Sequence, residues 1–259
     1  MRGALDPDLP DFFTTPLAYT LPAAPRRAQP HAYGGQDLAE CVDRSALAIV
    51  EYVTEPTGTI DAATRAPLFR CSMVLRHLES PARGTPYPEV VARAREVMQH
   101  PRIAGRCTLI VDAHGPGAGV IPMLEHPAFP APIVRMKATN GQEAKQTGNS
   151  YTVPKTALLD RLESALRTKK LRLAPGPLTD ALFRELTMLQ KELQPSGYVT
   201  YSTPIHDDLV MATAMAVWLA WERHAEYLQM PGPVPIVSAA GVLESMPSHP
   251  IYGPWRRVG

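Results

Sequence analysis

A strongly apolar run with helical spacing follows His206-Asp207-Asp208. Leu209, Ala212, Met215, Ala216 and Leu219 recur along it, and it continues through Trp218 and Trp221. Such spacing predicts a helix with one buried face. Asp207 and Asp208 open it. A helix N-terminus is electropositive and favours acids, and Asp is among the preferred N-caps. The pair therefore has two readings: helix-start acids, or carboxylates turned into a metal site shared with acids from distant strands.

Upstream the pattern turns strand-like. Tyr33 to Ala39 and Asp43 to Val53 predict two strands of a hairpin, with Asp37 on the first and Asp43 at the turn. Residues 54–67, with Pro56 and Gly58, predict a loop, and Leu68 to Leu78 a third strand. Pro86-Tyr87-Pro88 opens a helix to Gln99 with Val90, Val91, Ala94 and Val97 as its buried stripe; proline in a first turn costs little. Cys107 to Asp112 is a continuous apolar run ending in an acid, which predicts a strand buried on both faces. The chain then turns through Gly115, Gly117 and Gly119 into a short helix ending near His126, and Pro132 to Lys137 predicts a fifth strand. Residues 138–151 are polar and predict a loop or β-excursion. Val153-Pro154-Lys155 starts a helix with Leu158, Leu159, Leu162, Ala165 and Leu166 on one face and Thr152 as candidate N-cap. Lys169, Lys170 and Arg172 suit its C-terminal end. A further helix is predicted from Leu178 to Gln194, with Leu182, Leu186, Leu189 and Leu193, and a short strand from Tyr198 to Tyr201. Strands followed by helices in this order make an α/β layer.

Composition narrows the picture. The 259 residues allow one large domain or two small ones, and 45% apolar residues suffice for a sizeable core. A net charge of +1 supplies no global field for nucleic acid or membrane, though a local basic groove remains open. Cys41, Cys71 and Cys107 form neither a disulfide framework nor a zinc signature and fit a reducing, cytoplasmic setting. No run approaches the roughly 18 apolar residues of a membrane span, and the N-terminus lacks a signal-peptide core. The 28 prolines concentrate near both ends and in connections. They divide the chain into an extended arm (1–30), a central domain (31–225) and a proline-rich tail (226–259).

The chemistry lies in the acids. Asp37 sits on the first strand, Asp112 ends a central one, and Asp207/Asp208 open the last core helix. Ligands collect at the carboxyl ends of strands in open α/β sheets. Each acid alone is ordinary turn chemistry. Together they suit a hard cation such as Mg²⁺ or Mn²⁺, which prefers oxygen ligands. Two such ions about 3.5–4 Å apart can activate a water and stabilise a leaving oxygen. Without cations, clustered carboxylates repel and some take raised pKa values. The glycines after Asp112 lack a Gly-Lys-Ser/Thr ending and predict a tight turn rather than a nucleotide site.

Across residues 32–225 the chain resembles the nuclease domain of the large subunit of tailed-phage terminases, the DNA-packaging motor. The resemblance rests on motifs in a fixed order: Gly35-Gln36-Asp37-Leu38-Ala39 with Asp43 and Ser45-Ala46-Leu47; Gly84-Thr85-Pro86-Tyr87-Pro88; Leu109-Ile110-Val111-Asp112-Ala113-His114-Gly115-Pro116-Gly117; Val153-Pro154-Lys155; and His206-Asp207-Asp208-Leu209-Val210-Met211-Ala212. It implies a ribonuclease H-like mixed sheet flanked by helices, and a metal-dependent endonuclease cutting double-stranded DNA with two Mg²⁺ or Mn²⁺ ions. Asp37, Asp112, Asp207 and Asp208 would be the metal ligands, with Asp208 favoured within its pair and Asp43 a weaker candidate. Lys137, Lys145 and Lys155 are candidates for contacts to the DNA backbone. Implied partners are duplex DNA and a packaging ATPase, small terminase subunit or portal; no membrane is implied.

The chain departs from the family in four ways, the first being that its first strand is less apolar than expected. It has no Gly-x-x-x-x-Gly-Lys-Ser/Thr loop and no ATPase domain, so a standalone nuclease, a fragment and a split packaging component all stay open. His114 stands where a small hydroxyl residue is expected, and either assists the site or caps the turn. The proline-rich ends have no counterpart. Other readings are a non-catalytic DNA-docking or motor-assembly module and a Holliday-junction resolvase of similar fold. An actin-like ATPase shares the core layout, but its phosphate-binding motifs are not apparent.

Overall fold

A computed structural model describes residues 31–38, 45–63, 66–115, 117–194, 199–204, 206–230 and 232–235. The 1–30 arm, Asp43 and most of the proline-rich tail lie outside these residues. Strands β1 (His31–Asp37), β2 (Ala46–Ile60) and β3 (Pro67–Glu79) form an antiparallel meander, followed by α1 (Tyr87–Met98). Then come β4 (Cys107–Asp112), α2 (Gly117–Leu124), β5 (Ile133–Thr139), a hairpin of β6 (Lys145–Thr147) and β7 (Ser150–Pro154), and α3 (Lys155–Arg167). The chain continues with β8 (Leu171–Leu173), α4 (Pro177–Met188), a separate hairpin of β9 (Gln190–Leu193) and β10 (Val199–Ser202), α5 (Asp208–Leu228) and β11 (Val234–Pro235).

The main sheet runs β11-β3-β2-β1-β4-β5-β7-β6, with β8 also paired to β3. β1, β4, β5 and β7 are mutually parallel, and β2 is antiparallel to both of its neighbours. This mixed sheet, with helices on both faces, is a ribonuclease H-like arrangement. Alternation along the strands sorts the core into two layers. Tyr33, Ala48, Val50, Ile110 and Val134 face α3 and α5. Leu47, Ile49, Leu109 and Val111 face α1 and α2, meeting Val90, Ala94, Val97 and Val120.

Gly35 decides how α5 sits on the sheet. A Cβ there would lie 1.9 Å from the Ala212 carbonyl oxygen, so the helix backbone rests directly on β1. Contact this close needs a residue without a side chain. Ala46 and Ala48 on the neighbouring strand keep the same trough shallow.

Several elements differ from their predicted forms. α5 is buried on every side from Leu209 to Trp221, because α3 and α4 cover the face turned away from the sheet. β2 continues through the predicted loop to Ile60: Gly58 adopts φ 75° beside an irregularity between Pro56 and Ile60, which absorbs the proline without ending the ladder. α3 is preceded by Pro154 as its cap position, and Thr152 lies on β7 instead. Lys170 closes the end of α3 through its main chain, its N–H donating to the Ala165 carbonyl at 2.9 Å, while its side chain and that of Arg172 turn elsewhere. Leu171–Leu173 pairs parallel to β3, Arg172 reaches Glu55 at 2.7 Å, and the Lys170 ammonium donates to the Met230 carbonyl at 2.8 Å. α4 stops at Met188, and Leu189 is extended (φ −65°, ψ 126°). Residues 190–193 then pair with β10, a partner that the leucine spacing cannot reveal. Among the described residues no helix is long and apolar enough to cross a membrane.

Candidate metal centre

β1 and β4 are parallel neighbours whose last paired residues are Gln36 and Val111. Asp37 and Asp112 follow directly, on adjacent strands about 4.8 Å apart. Residues two apart share a face. Gly35 touches α5 and Ile110 lies in the layer with α5, so Asp37 and Asp112 both project to that side. α5 brings its own N-terminus to the same edge. Ala212 rests on Gly35, and Asp208 lies one turn before Ala212, toward the end of the sheet where β1 ends.

Electrostatics ties the group together. Burial pushes the Asp37 carboxyl well above the usual carboxylate range, and Asp112, Asp208 and Asp207 push in the same direction; Lys155 opposes them. Asp112 is raised by burial, against the His114 backbone N–H, which donates to its Oδ1 at 2.9 Å, and the His114 ring. Thus His114 closes the turn after β4 through its main chain. Asp207 occupies the cap position of α5, but its side chain caps nothing. Its Oδ2 accepts from the Lys155 ammonium at 2.6 Å, across to the first residue of α3. Among the described residues no three His, Cys, Asp or Glu side chains stand close enough, as placed, to enclose a metal ion.

Of the three candidate lysines, only Lys155 stands beside the acids. Lys137 and Lys145 both flank Thr152 in the sheet and are exposed on the opposite face from α5. Two further contacts have no signal in the sequence. Glu185 on α4 accepts the Val210 N–H of α5 at 3.1 Å and is held also by the Leu209 N–H. Burial raises its pKa to about 7, and Asp208 and Asp207 add to that. Arg83, in the connection after β3, donates to His206 Nε2 at 2.7 Å, next to the acidic pair. Nothing in the local pattern separates Glu185 from an ordinary solvated helix face, nor Arg83 from an ordinary loop cation.

No protein-family model and no curated protein match the chain. Solved structures do. The large terminase nuclease of thermophilic phage G20c with bound magnesium is 17% identical, with a TM-score of 0.49 over 74% of this chain and 82% of that one. The large terminase nuclease domain of Thermus phage P74-26 is 16% identical, with a TM-score of 0.48 over 74% and 85%. The manganese-soaked terminase nuclease domain of human cytomegalovirus is 14% identical, with a TM-score of 0.41 over 76% and 85%. These three solved structures, to which the chain is similar, are terminase nucleases of two phages and one human virus.

Proposed function

We propose that the chain is a metal-dependent endonuclease that cuts double-stranded DNA during viral genome packaging. The observation that carries this reading is the meeting of β1, β4 and α5 at one edge of the sheet, each ending or beginning in a carboxylate. The donor chemistry fits the implied group. Asp37, Asp112, Asp207 and Asp208 offer only oxygen, the choice of Mg²⁺ and Mn²⁺. Burial, and then repulsion from Asp112, Asp208 and Asp207, raises the Asp37 carboxyl, and a nearby cation would oppose that rise. In this reading Asp37, Asp112 and Asp208 hold two divalent ions, with Asp207 shared between that role and Lys155. Such ions, when bound, supply water activation, in-line displacement at phosphorus and stabilisation of the leaving 3′-oxygen.

The chain's own residues then have distinct tasks. Asp37 and Asp112 end neighbouring strands, and the ladder between them fixes the spacing of their backbones. Lys155 compensates part of the negative charge that a phosphodiester must approach. Lys137 and Lys145 touch the DNA backbone only where the duplex reaches round the β6–β7 edge. A packaging ATPase, small subunit or portal is the partner class that fits this role.

Supercoiled plasmid incubated with Mn²⁺, Mg²⁺ or chelator tests the reading. Nicking and linearisation are expected with either metal, and neither with chelator, Asp112→Asn or Asp208→Asn. Equal cleavage by the native chain and both variants would remove the assigned residues from the reaction. A folded native chain that never cuts would favour the assembly-module reading.

A further inference from the structure

We infer that Glu185 is a positioning residue for the metal-binding carboxylates, because it caps α5 from another helix and so releases Asp207 from capping it. The inference rests on the reading of the acids as a metal centre. The first N–H groups of a helix have no partner within it. An Asp at the cap position normally satisfies one of them by folding its own carboxylate back. Asp207 occupies that position and does not; its carboxylate reaches outward to Lys155. The vacant duty falls to Glu185. Its carboxylate accepts from Val210 and Leu209, the third and second residues of α5.

This arrangement has a consequence for the acids. Were the acceptor at position 185 lost, Asp207 is the side chain best placed to replace it, since it already sits at the cap position and its residue type is among the preferred caps. Folding back would draw it off Lys155 and toward its own helix. Asp208, in the same first turn, would follow any change in how that turn is held. A half-buried glutamate 25 residues upstream of Val210 thereby leaves the Asp207 carboxylate pointing outward. Glu185 acts through the backbone of α5, as outer-shell partners act on ligands they do not replace.

The test is Mn²⁺ titration calorimetry on the full chain, comparing native protein with Glu185→Met, Glu185→Gln, Asp112→Asn and Asp208→Asn. Methionine keeps the size of the side chain but offers no useful acceptor; glutamine keeps the acceptor and removes the charge. Glu185→Met is expected to weaken Mn²⁺ binding by about 10–100-fold, the usual effect of losing an outer-shell partner. Glu185→Gln should stay close to native. Native affinity in Glu185→Met overturns the inference, and so does an equal loss in Glu185→Gln, which would make the negative charge itself a ligand. Circular dichroism melts establish that each variant is folded. If Glu185→Met is not, Glu185→Ala titrated at low temperature carries the same comparison. Should Asp112→Asn and Asp208→Asn bind Mn²⁺ like native protein, the metal centre itself fails. If they lose binding while Glu185→Met keeps it, only the role of Glu185 fails.

Discussion

Gly35→Ala puts one methyl group into the tightest contact of the fold. Its carbon would sit 1.9 Å from the Ala212 oxygen, 2.9 Å from the Ala212 carbonyl carbon and 3.1 Å from the Ala216 nitrogen. All three are backbone atoms of α5, so no rotamer change relieves the clash. The helix has to move off β1 by about 1.5 Å to restore an ordinary carbon–oxygen contact near 3.3–3.6 Å. Overpacking of this kind costs about 1–3 kcal/mol and sometimes more; we expect about 3 kcal/mol here. At roughly 2–4 °C per kcal/mol for a domain of this size, the melting temperature should fall by about 6–12 °C. Gly34→Ala is the internal control. Its added carbon would meet Leu109 Cδ1 at 2.9 Å, Met98 Cε at 3.1 Å and Ile49 Cδ1 at 3.2 Å, all ends of flexible side chains. That variant should lose only about 1 kcal/mol. Thermal melts by circular dichroism decide it. The shift in α5 also displaces Asp208 against Asp37, and a misplacement of about 1 Å can cost on the order of 10² in rate. Gly35→Ala should therefore lose plasmid cleavage even at temperatures where it is folded. A Gly35→Ala protein melting with the native chain, or Gly34→Ala proving the worse of the two, would refute the direct backbone contact.

Three further outcomes follow from the acids. Glu185 is raised from 4.5 to about 7, so the folded chain binds its proton more tightly than the unfolded chain; its contribution to stability is full below the unfolded value and is lost as pH rises through about 7. In chelator, melts of native protein should therefore fall relative to Glu185→Gln between these limits, and parallel pH profiles would contradict this. Asp37 is raised by burial and then by Asp112, Asp208 and Asp207, so Mn²⁺ binding should release protons; calorimetry in buffers of different ionisation enthalpy should give different heats, and identical heats would argue against cation binding at Asp37. Lys155→Met removes the 2.6 Å partner of Asp207, whose side chain is 20% exposed, and should cost about 0.5–1 kcal/mol in urea unfolding while pushing Asp37 further up. No change in stability would show that the pair is not maintained in solution.

What the sequence determined by itself was local. The run from Cys107 to Val111 is apolar enough to be a doubly buried strand, and an acid directly after it marks the strand's carboxyl end, so Asp112 was legible without any partner. The stripes of α1 and α3 are visible in the spacing because their opposite faces are polar. Where a second chain segment decides the conformation, periodicity was blind. The leucine spacing of 182–193 continues past Met188, yet β10 draws residues 190–193 into a hairpin. β8 is three residues long and exists because β3 offers an open edge. The same division holds at the site. Acids at element ends were visible as residue types, but the face they share depends on the register of β1 with β4 and on α5 lying against Gly35. That Asp207 leaves its helix uncapped, and that Glu185 caps it, depends on how α4 packs beside α5. An electrostatic partner is chosen by distance through space, and distance along the chain carries no record of it.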